Sequence, residues 1–214
     1  MQSNSENPHA WMMIEVDVSN LVDLRQKLKE DFMRREGIPL SLSPFVLKPI
    51  VNALKEFPML NSSWHSGSIH VKKDINLSIA VANTDDTVVT PVIYHADRKS
   101  IAGIAIELHD LANKARNGSL LPSEFVEGSF TFSNTGSAGS LLSCPIINNP
   151  QAAMLTFESI VRKPVVIQEM IAIRSIANLC LSYDHRMVDG MIGSRFMQRV
   201  KYYLEQYKEE TIIY

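Results

Sequence analysis

The sequence predicts a two-layer α/β sandwich, a mixed β-sheet covered by helices. Extended apolar segments outnumber helical ones. The helices do not alternate with them one for one, as a doubly wound sheet requires. Neither a G-x-G-x-x-G turn nor a P-loop lysine motif occurs. No repeat, low-complexity block or Gly/Ser linker divides the chain, so residues 1–214 read as one domain.

Each element has its own signal. "WMMIEVDV" (11–18) is β-branched and alternates at its end, a strand. "SNLVDLRQKLKEDFMRREG" places Leu21, Leu24, Leu28 and Phe32 at helical spacing, with Ser19 or Asn20 as cap and Gly37 as stop. "SPFVLKPIVNALKEFP" predicts a second helix, opened by Ser43 as cap with Pro44 in the first turn. Its interior Pro49 should bend it or fall within its first turns. "NSSWHSGSIHV" has a Ser-Gly turn between short strands, a hairpin. "INLSIAVA" and "VVTPVIY" read as two further strands. "SIAGIAIELHDLANKARNG" reads as a long amphipathic helix ended by Gly118. After Pro122 the segments "GSFTFSN", "PIIN", "AAMLTFESIV" and "IAIRSIANLCLSYD" are extended, and "MIGSRFMQRVKYYLEQYKEE" closes the chain as a helix.

Composition excludes several classes. The chain has 214 residues, enough for a substantial core, with 45% hydrophobic and 21% charged residues. A formal net charge of −2 gives no electrostatic case for nucleic acid or an anionic membrane as partner. Two cysteines, Cys144 and Cys180, fit a reducing compartment and make no disulfide framework. The opening "MQSNSENPHA" lacks a basic-then-apolar targeting pattern, and no apolar run approaches a membrane span of roughly 20 residues. A cytoplasmic location is expected.

The chemistry concentrates in "LSYDHRMVDG" (181–190), where an apolar strand ends in Asp184, His185 and Arg186, with Asp189 and Gly190 close behind. A histidine at a strand end is more often a structural hydrogen-bonding residue than a catalyst. Here, however, four ionisable side chains crowd beside a core strand, where burial is costly unless they pair. A histidine with orienting groups nearby suits a general base for a thiol or hydroxyl. Gly190 would permit a tight turn or close helix packing. A metal site would need His185, Asp189 and a distant third ligand. The other histidines (9, 65, 70, 95 and 109) show no ligand-type pairing, so no metal is assigned.

"DHRMVDG" resembles the D-H-R-x-x-D-G signature of the catalytic domain of 2-oxo acid dehydrogenase acyltransferases. It comes with "GSFTFSNTGSAGS" (128–140), similar to that family's G-x-F-T-x-S-N-x-G segment. "PIINNPQAAML" and "ESIVRKPVV" follow in the family's order, and "PHAWMMIEVDVSNLVDLR", "LSPFVLKPIVNALKEFP" and "KKDINLSIAVA" match its front half. The resemblance covers nearly the whole chain. It implies the chloramphenicol-acetyltransferase-like fold and transfer of an acyl group between the thiols of coenzyme A and dihydrolipoamide, the lipoyl group riding on a separate domain. By match to the motif, His185 would deprotonate the attacking thiol and Ser133 would stabilise the tetrahedral oxyanion. Asp189 would orient the site, with Asp184 and Arg186 as structural partners. For coenzyme A the resemblance points to Arg25, Ser41, Asn83 and Asn134, together with Ser133. Relatives often carry Asp where Asn83 stands. Cys144 is read as a small buried residue without chemistry.

The resemblance is greatest to the bacterial branched-chain type, acting on isobutyryl, isovaleryl and 2-methylbutyryl groups. An acetyl-specific enzyme of the pyruvate type and a mainly structural scaffold are the alternatives. The family forms homotrimers with serine from one chain and histidine from the next, which build a larger cubic core. The implied partners are the lipoyl domain, the 2-oxo acid decarboxylase and dihydrolipoamide dehydrogenase. Compared with the family, the basic N-terminal arm is expected to be missing or truncated at "MQSNSENPHAW", and residues 1–214 are expected to hold the catalytic domain without a lipoyl or subunit-binding domain.

Overall fold

The computed structural model describes residues 8–83 and 87–214; the opening "MQSNSEN", where the arm is expected, lies outside the described residues. Strand β1 (His9–Asp17) leads into α1 (Ser19–Glu36) and α2 (Ser43–Glu56). The hairpin β2 (Ser62–His65) and β3 (Ser68–Val71) precedes β4 (Leu77–Ala82), β5 (Val88–Val89) and β6 (Val92–Ile93). Helix α3 (Ile101–Arg116) is followed by β7 (Phe130–Ser133), β8 (Ala153–Phe157), β9 (Val161–Ile167), the long β10 (Met170–Asp184) and α4 (Gly190–Glu205).

Eight strands form one mixed sheet in the order β1-β10-β8-β7-β4-β5, with β6 on β4 and β9 on β10. The pairs β8–β7 and β7–β4 are parallel and the others antiparallel. Side chains alternate between the two faces of a strand, and here the faces differ in chemistry. Leu77, Ile79, Phe130, Phe132, Leu155, Phe157, Leu179 and Leu181 belong to the apolar core that the helices cover. Ser78, Thr131, Ser133, Thr156 and Ser182 alternate with them and so occupy the opposite face.

Helix α2 packs between α3 and α4 and is buried on nearly every side. Pro49 lies inside it and lacks the N–H that would bond the Phe45 carbonyl. The buried Tyr207 hydroxyl donates to that carbonyl instead, at 2.7 Å. This is how a proline persists in the most buried helix of the molecule.

Several expectations need correction in detail. Neither Ser19 nor Asn20 caps α1. Asp17 Oδ1 accepts the Ser19 N–H at 2.9 Å, and Ser19 Oγ instead accepts from the N–H of Ser175, tying the helix start to β10. Ser43 is the first residue of α2 rather than its cap. "VVTPVIY" is split by Thr90-Pro91 into β5 and β6, and "PIIN" forms no strand. Cys144 is exposed on that irregular stretch, not buried. Gly37 does end α1, with φ 71°. The β2–β3 turn runs through Ser66 and Gly67, both at positive φ (48° and 84°), as a tight two-residue hairpin requires.

Candidate active site

The charged cluster at the end of β10 resolves into a scaffold and one available side chain. Asp184 is 1% exposed, and its backbone N–H donates to the Ala152 carbonyl at 2.9 Å. Its carboxylate accepts the Arg186 backbone N–H at 3.0 Å and the guanidinium at 3.0 and 2.5 Å. Arg186 lies over the Trp64 ring of the β2–β3 hairpin, 4.5 Å from its centroid. The expensive buried charge is thereby paired, and the turn is fixed by the same carboxylate. Asp189 is the N-cap of α4, accepting the Met191 N–H at 3.0 Å. His185 is left exposed, its backbone N–H donating to Pro8 O at 3.0 Å and its ring 6.0 Å from that of Tyr183. The close helix approach occurs at Gly193, not Gly190: a Cβ on Gly193 would meet Met12 and Tyr183 at 3.1 and 3.2 Å.

Ser133 ends β7, half-buried on the polar face of the sheet. Its register partners are Ala80 on β4 and Thr156 on β8, and Thr156 pairs with Cys180 on β10. Two strand spacings (about 10 Å) and the run from Cys180 to His185 (about 17 Å) therefore separate Ser133 from His185, about 19 Å within one chain. The two do not meet in a single subunit.

A groove of about 420 Å³ opens beside Ser133, between the ends of β4 and β7, the start of α2 and one face of α3. Ser41 and Asn134 both line it, with Ser137, His109 and Arg116. Asn134 Nδ2 donates to Ser43 Oγ at 3.2 Å, which fixes the groove's floor to α2. Arg25 does not line this groove. Its Nε donates to Leu40 O at 2.8 Å, placing it in the adjoining depression beyond Pro39. Asn83 follows β4 and donates its backbone N–H to Thr87 O at 2.7 Å, next to the groove residue Ala82 without itself lining it. The fold thus brings Ser41 and Asn134 together in the groove, keeps Ser133 beside it between the lining residues Phe132 and Asn134 without lining it, puts Arg25 and Asn83 at the periphery, and leaves His185 and Asp189 at the far end. Sequence reasoning missed His109 and Arg116. Their signal was a stripe on α3, with small Ala105 and Ala112 one helical repeat apart and His109 and Arg116 similarly spaced.

Behind Ser133 lies Glu158, 1% exposed. Burial pushes its carboxyl up, but hydroxyls of Ser140, Ser143, Thr156 and Thr135 outweigh this and hold it below the usual carboxylate value.

A mixed sheet with helices on one face, a histidine just past its longest strand and a groove at the other end define a two-layer α/β sandwich. Chloramphenicol acetyltransferase shares the fold: TM-score 0.61, 15% identity, covering 93% of this chain and 89% of that one. The chain belongs to the family described as 2-oxoacid dehydrogenases acyltransferase (catalytic domain), whose model matches residues 1–212. It is 50% identical over 214 residues to the lipoamide acyltransferase component of the branched-chain alpha-keto acid dehydrogenase complex of Bacillus subtilis (strain 168). The match covers 100% of this chain and 50% of that protein, so the chain spans about half the length of this curated relative. A probable dihydrolipoamide acetyltransferase from Listeria monocytogenes 4b F2365 superposes with TM-score 0.96 at 49% identity, over 99% of this chain and 91% of that one. Two further structures reach TM-score 0.92 over 96% of this chain and 84% of theirs. One, at 31% identity, is an Azotobacter vinelandii dihydrolipoamide acetyltransferase investigated for the catalytic role of a serine, a histidine and an asparagine. The other, at 32%, is the cubic core of a pyruvate dehydrogenase multienzyme complex.

Proposed function

We propose that this chain transfers a branched-chain acyl group between dihydrolipoamide and coenzyme A, as the catalytic domain of a larger acyltransferase. His185 takes the proton of the attacking thiol. The thiolate adds to the thioester carbonyl, the oxyanion so formed accepts a hydrogen bond from the Ser133 hydroxyl, and collapse expels the second thiolate, which regains the proton from the imidazolium. A free thiol has a pKa near 8.5 and is mostly protonated at neutral pH, so the first step needs a base. A donor already aimed at the oxyanion suits the second. Ser41 and Asn134 hold the coenzyme in the groove, Arg25 and Asn83 contact it at the rim, and Asp189 orients the histidine turn as helix cap.

The observation that carries this reading is the placement of Ser133 and His185 at opposite ends of one sheet. They and Asp189 have the same spacing along the chain as the serine, histidine and asparagine of the A. vinelandii enzyme. Serine from one subunit then works with histidine from the next, in a homotrimer that builds a cubic core like that of the pyruvate dehydrogenase complex. The exposed apolar tip of the β9–β10 hairpin, where Val166 is 75% and Ile171 80% exposed, supports a subunit contact there. The lipoyl group arrives on a separate domain, and the decarboxylase and dihydrolipoamide dehydrogenase are the other partners, in the cytoplasm.

The Listeria structure's designation as an acetyltransferase, at nearly the same identity as the branched-chain relative, favours an acetyl-specific second reading. Steady-state transfer from acetyl-, isobutyryl- and succinyl-coenzyme A to free dihydrolipoamide separates them. The branched-chain reading expects the highest kcat/KM with isobutyryl-coenzyme A. Replacing His185→Ala should lower kcat ~10²–10⁴-fold. A variant of undiminished kcat would remove His185 from the chemistry, and absence of transfer by the wild-type chain from all three thioesters would identify it as a scaffold.

A further inference from the structure

Glu158 is a buried ionisable group that the proposed chemistry leaves unused. A carboxylate taken out of water is costly unless its oxygens accept hydrogen bonds or meet a cation. Hydroxyls dominate its surroundings: Thr135 Oγ1 donates to Oε2 at 2.7 Å, Thr156 Oγ1 and Ser143 Oγ donate to Oε1, and the Ser140 hydroxyl and the Cys180 thiol also contact the carboxyl. Two of these donors bracket Ser133. Thr156 is its register partner on β8, and Thr135 follows it two residues along, past the end of β7. The loop after Ser133 is pressed onto the same residue. A Cβ on Gly136 would come within 2.3 Å of the Glu158 carbonyl carbon, Ser159 Oγ donates to Gly136 O at 2.9 Å, and Ser159 N–H donates to Ser140 O at 2.8 Å. The Glu158 carboxylate therefore ties the end of β7 to β8 through Thr135 and Thr156, while the backbone of residues 158 and 159 and the Ser159 hydroxyl hold the loop that follows Asn134.

We propose that Glu158 is a positioning residue for Ser133, holding its hydroxyl on the oxyanion through the Thr135 and Thr156 hydroxyls. This rests on the oxyanion role given to Ser133 above. A donor helps only when held within about half an ångström of the developing charge, so its support sets its worth. Glu158→Gln keeps shape and one acceptor oxygen but replaces the other by an amide nitrogen that cannot accept a hydroxyl proton. Thr135→Val removes one donor without changing bulk, and it serves as the second probe should Glu158→Gln fold poorly.

The test is a double-mutant cycle in steady-state acyl transfer, with Ser133→Ala as the second site. Ser133→Ala alone should lower kcat about 10²-fold. Glu158→Gln and Thr135→Val should each lower kcat, Glu158→Gln by about tenfold, while KM for the acyl-coenzyme A stays within about threefold. In the Ser133→Ala background neither should lower kcat further, because a residue acting through Ser133 has nothing left to position. Wild-type kcat in both variants, or losses that multiply with that of Ser133→Ala, overturns the positioning role and leaves the oxyanion reading intact. Undiminished kcat in Ser133→Ala itself overturns the oxyanion reading and this inference with it.

Discussion

Asp184, Arg186 and Asp189 share one short segment with His185, yet each does different work. Asp184 neutralises Arg186 and holds the turn, Asp189 caps a helix, and His185 is exposed with no hydrogen bond from its ring among those described. The Asp184–Arg186 pair should therefore matter for folding rather than chemistry. Removing a partner from a buried carboxylate costs 3–5 kcal/mol when both are buried. Arg186 is partly exposed, so Arg186→Ala should lose about 2 kcal/mol in urea unfolding. A loss below about 0.5 kcal/mol would mean that Asp184 finds another partner. At this scale the sequence was legible where a residue carries its own chemistry. The crowding of charges beside a core strand pointed to His185, and the default pairing of Asp184 with Arg186 holds. Cys144 was read as a small buried residue without chemistry but is exposed, because burial depends on what packs over a residue, which its sequence neighbours do not show.

Helix α2 shows how distant residues repair a local fault. Its interior Pro49 leaves the Phe45 carbonyl without a helical partner, and Tyr207, just beyond α4, supplies the missing donor. Tyr207→Phe should cost about 1–2 kcal/mol by leaving that carbonyl unsatisfied. Pro49→Ala restores the N–H, so the same tyrosine change made in that background should cost appreciably less. Equal costs in both backgrounds, measured by chemical denaturation, would show that Tyr207 stabilises by packing alone. The helix itself was legible from its apolar content and Pro44, but its compensation was not, because the donor is far away in sequence. The strand "VVTPVIY" failed for a related reason: Pro91 cannot donate to a ladder, so it divides what β-propensity reads as continuous. The groove's use of His109 and Arg116 was hidden because an amphipathic stripe does not say whether it meets core or ligand.

Across the whole molecule the two faces of the sheet have different tasks. The apolar face holds the helices, and the polar face carries Ser133 with the hydroxyls around Glu158. The motif resemblance pointed to Ser133 and His185, but their separation of about 19 Å follows only from strand register. That separation makes an undivided site within one chain impossible without large rearrangement. It turns the expected division between subunits into a geometric requirement of the proposed reaction. In a closed cyclic trimer every boundary is equivalent, so each Ser133 would face the next chain's His185.

The most direct test is complementation between two inactive variants. Chains carrying Ser133→Ala and chains carrying His185→Ala are co-expressed in equal amounts and the mixed assemblies assayed for acyl transfer. If serine and histidine come from different subunits, random mixing restores about one quarter of the wild-type rate per site, since that fraction of boundaries pairs two intact side chains. Activity no higher than that of the separate variants, in particles shown to contain both chains, would contradict a site shared between subunits.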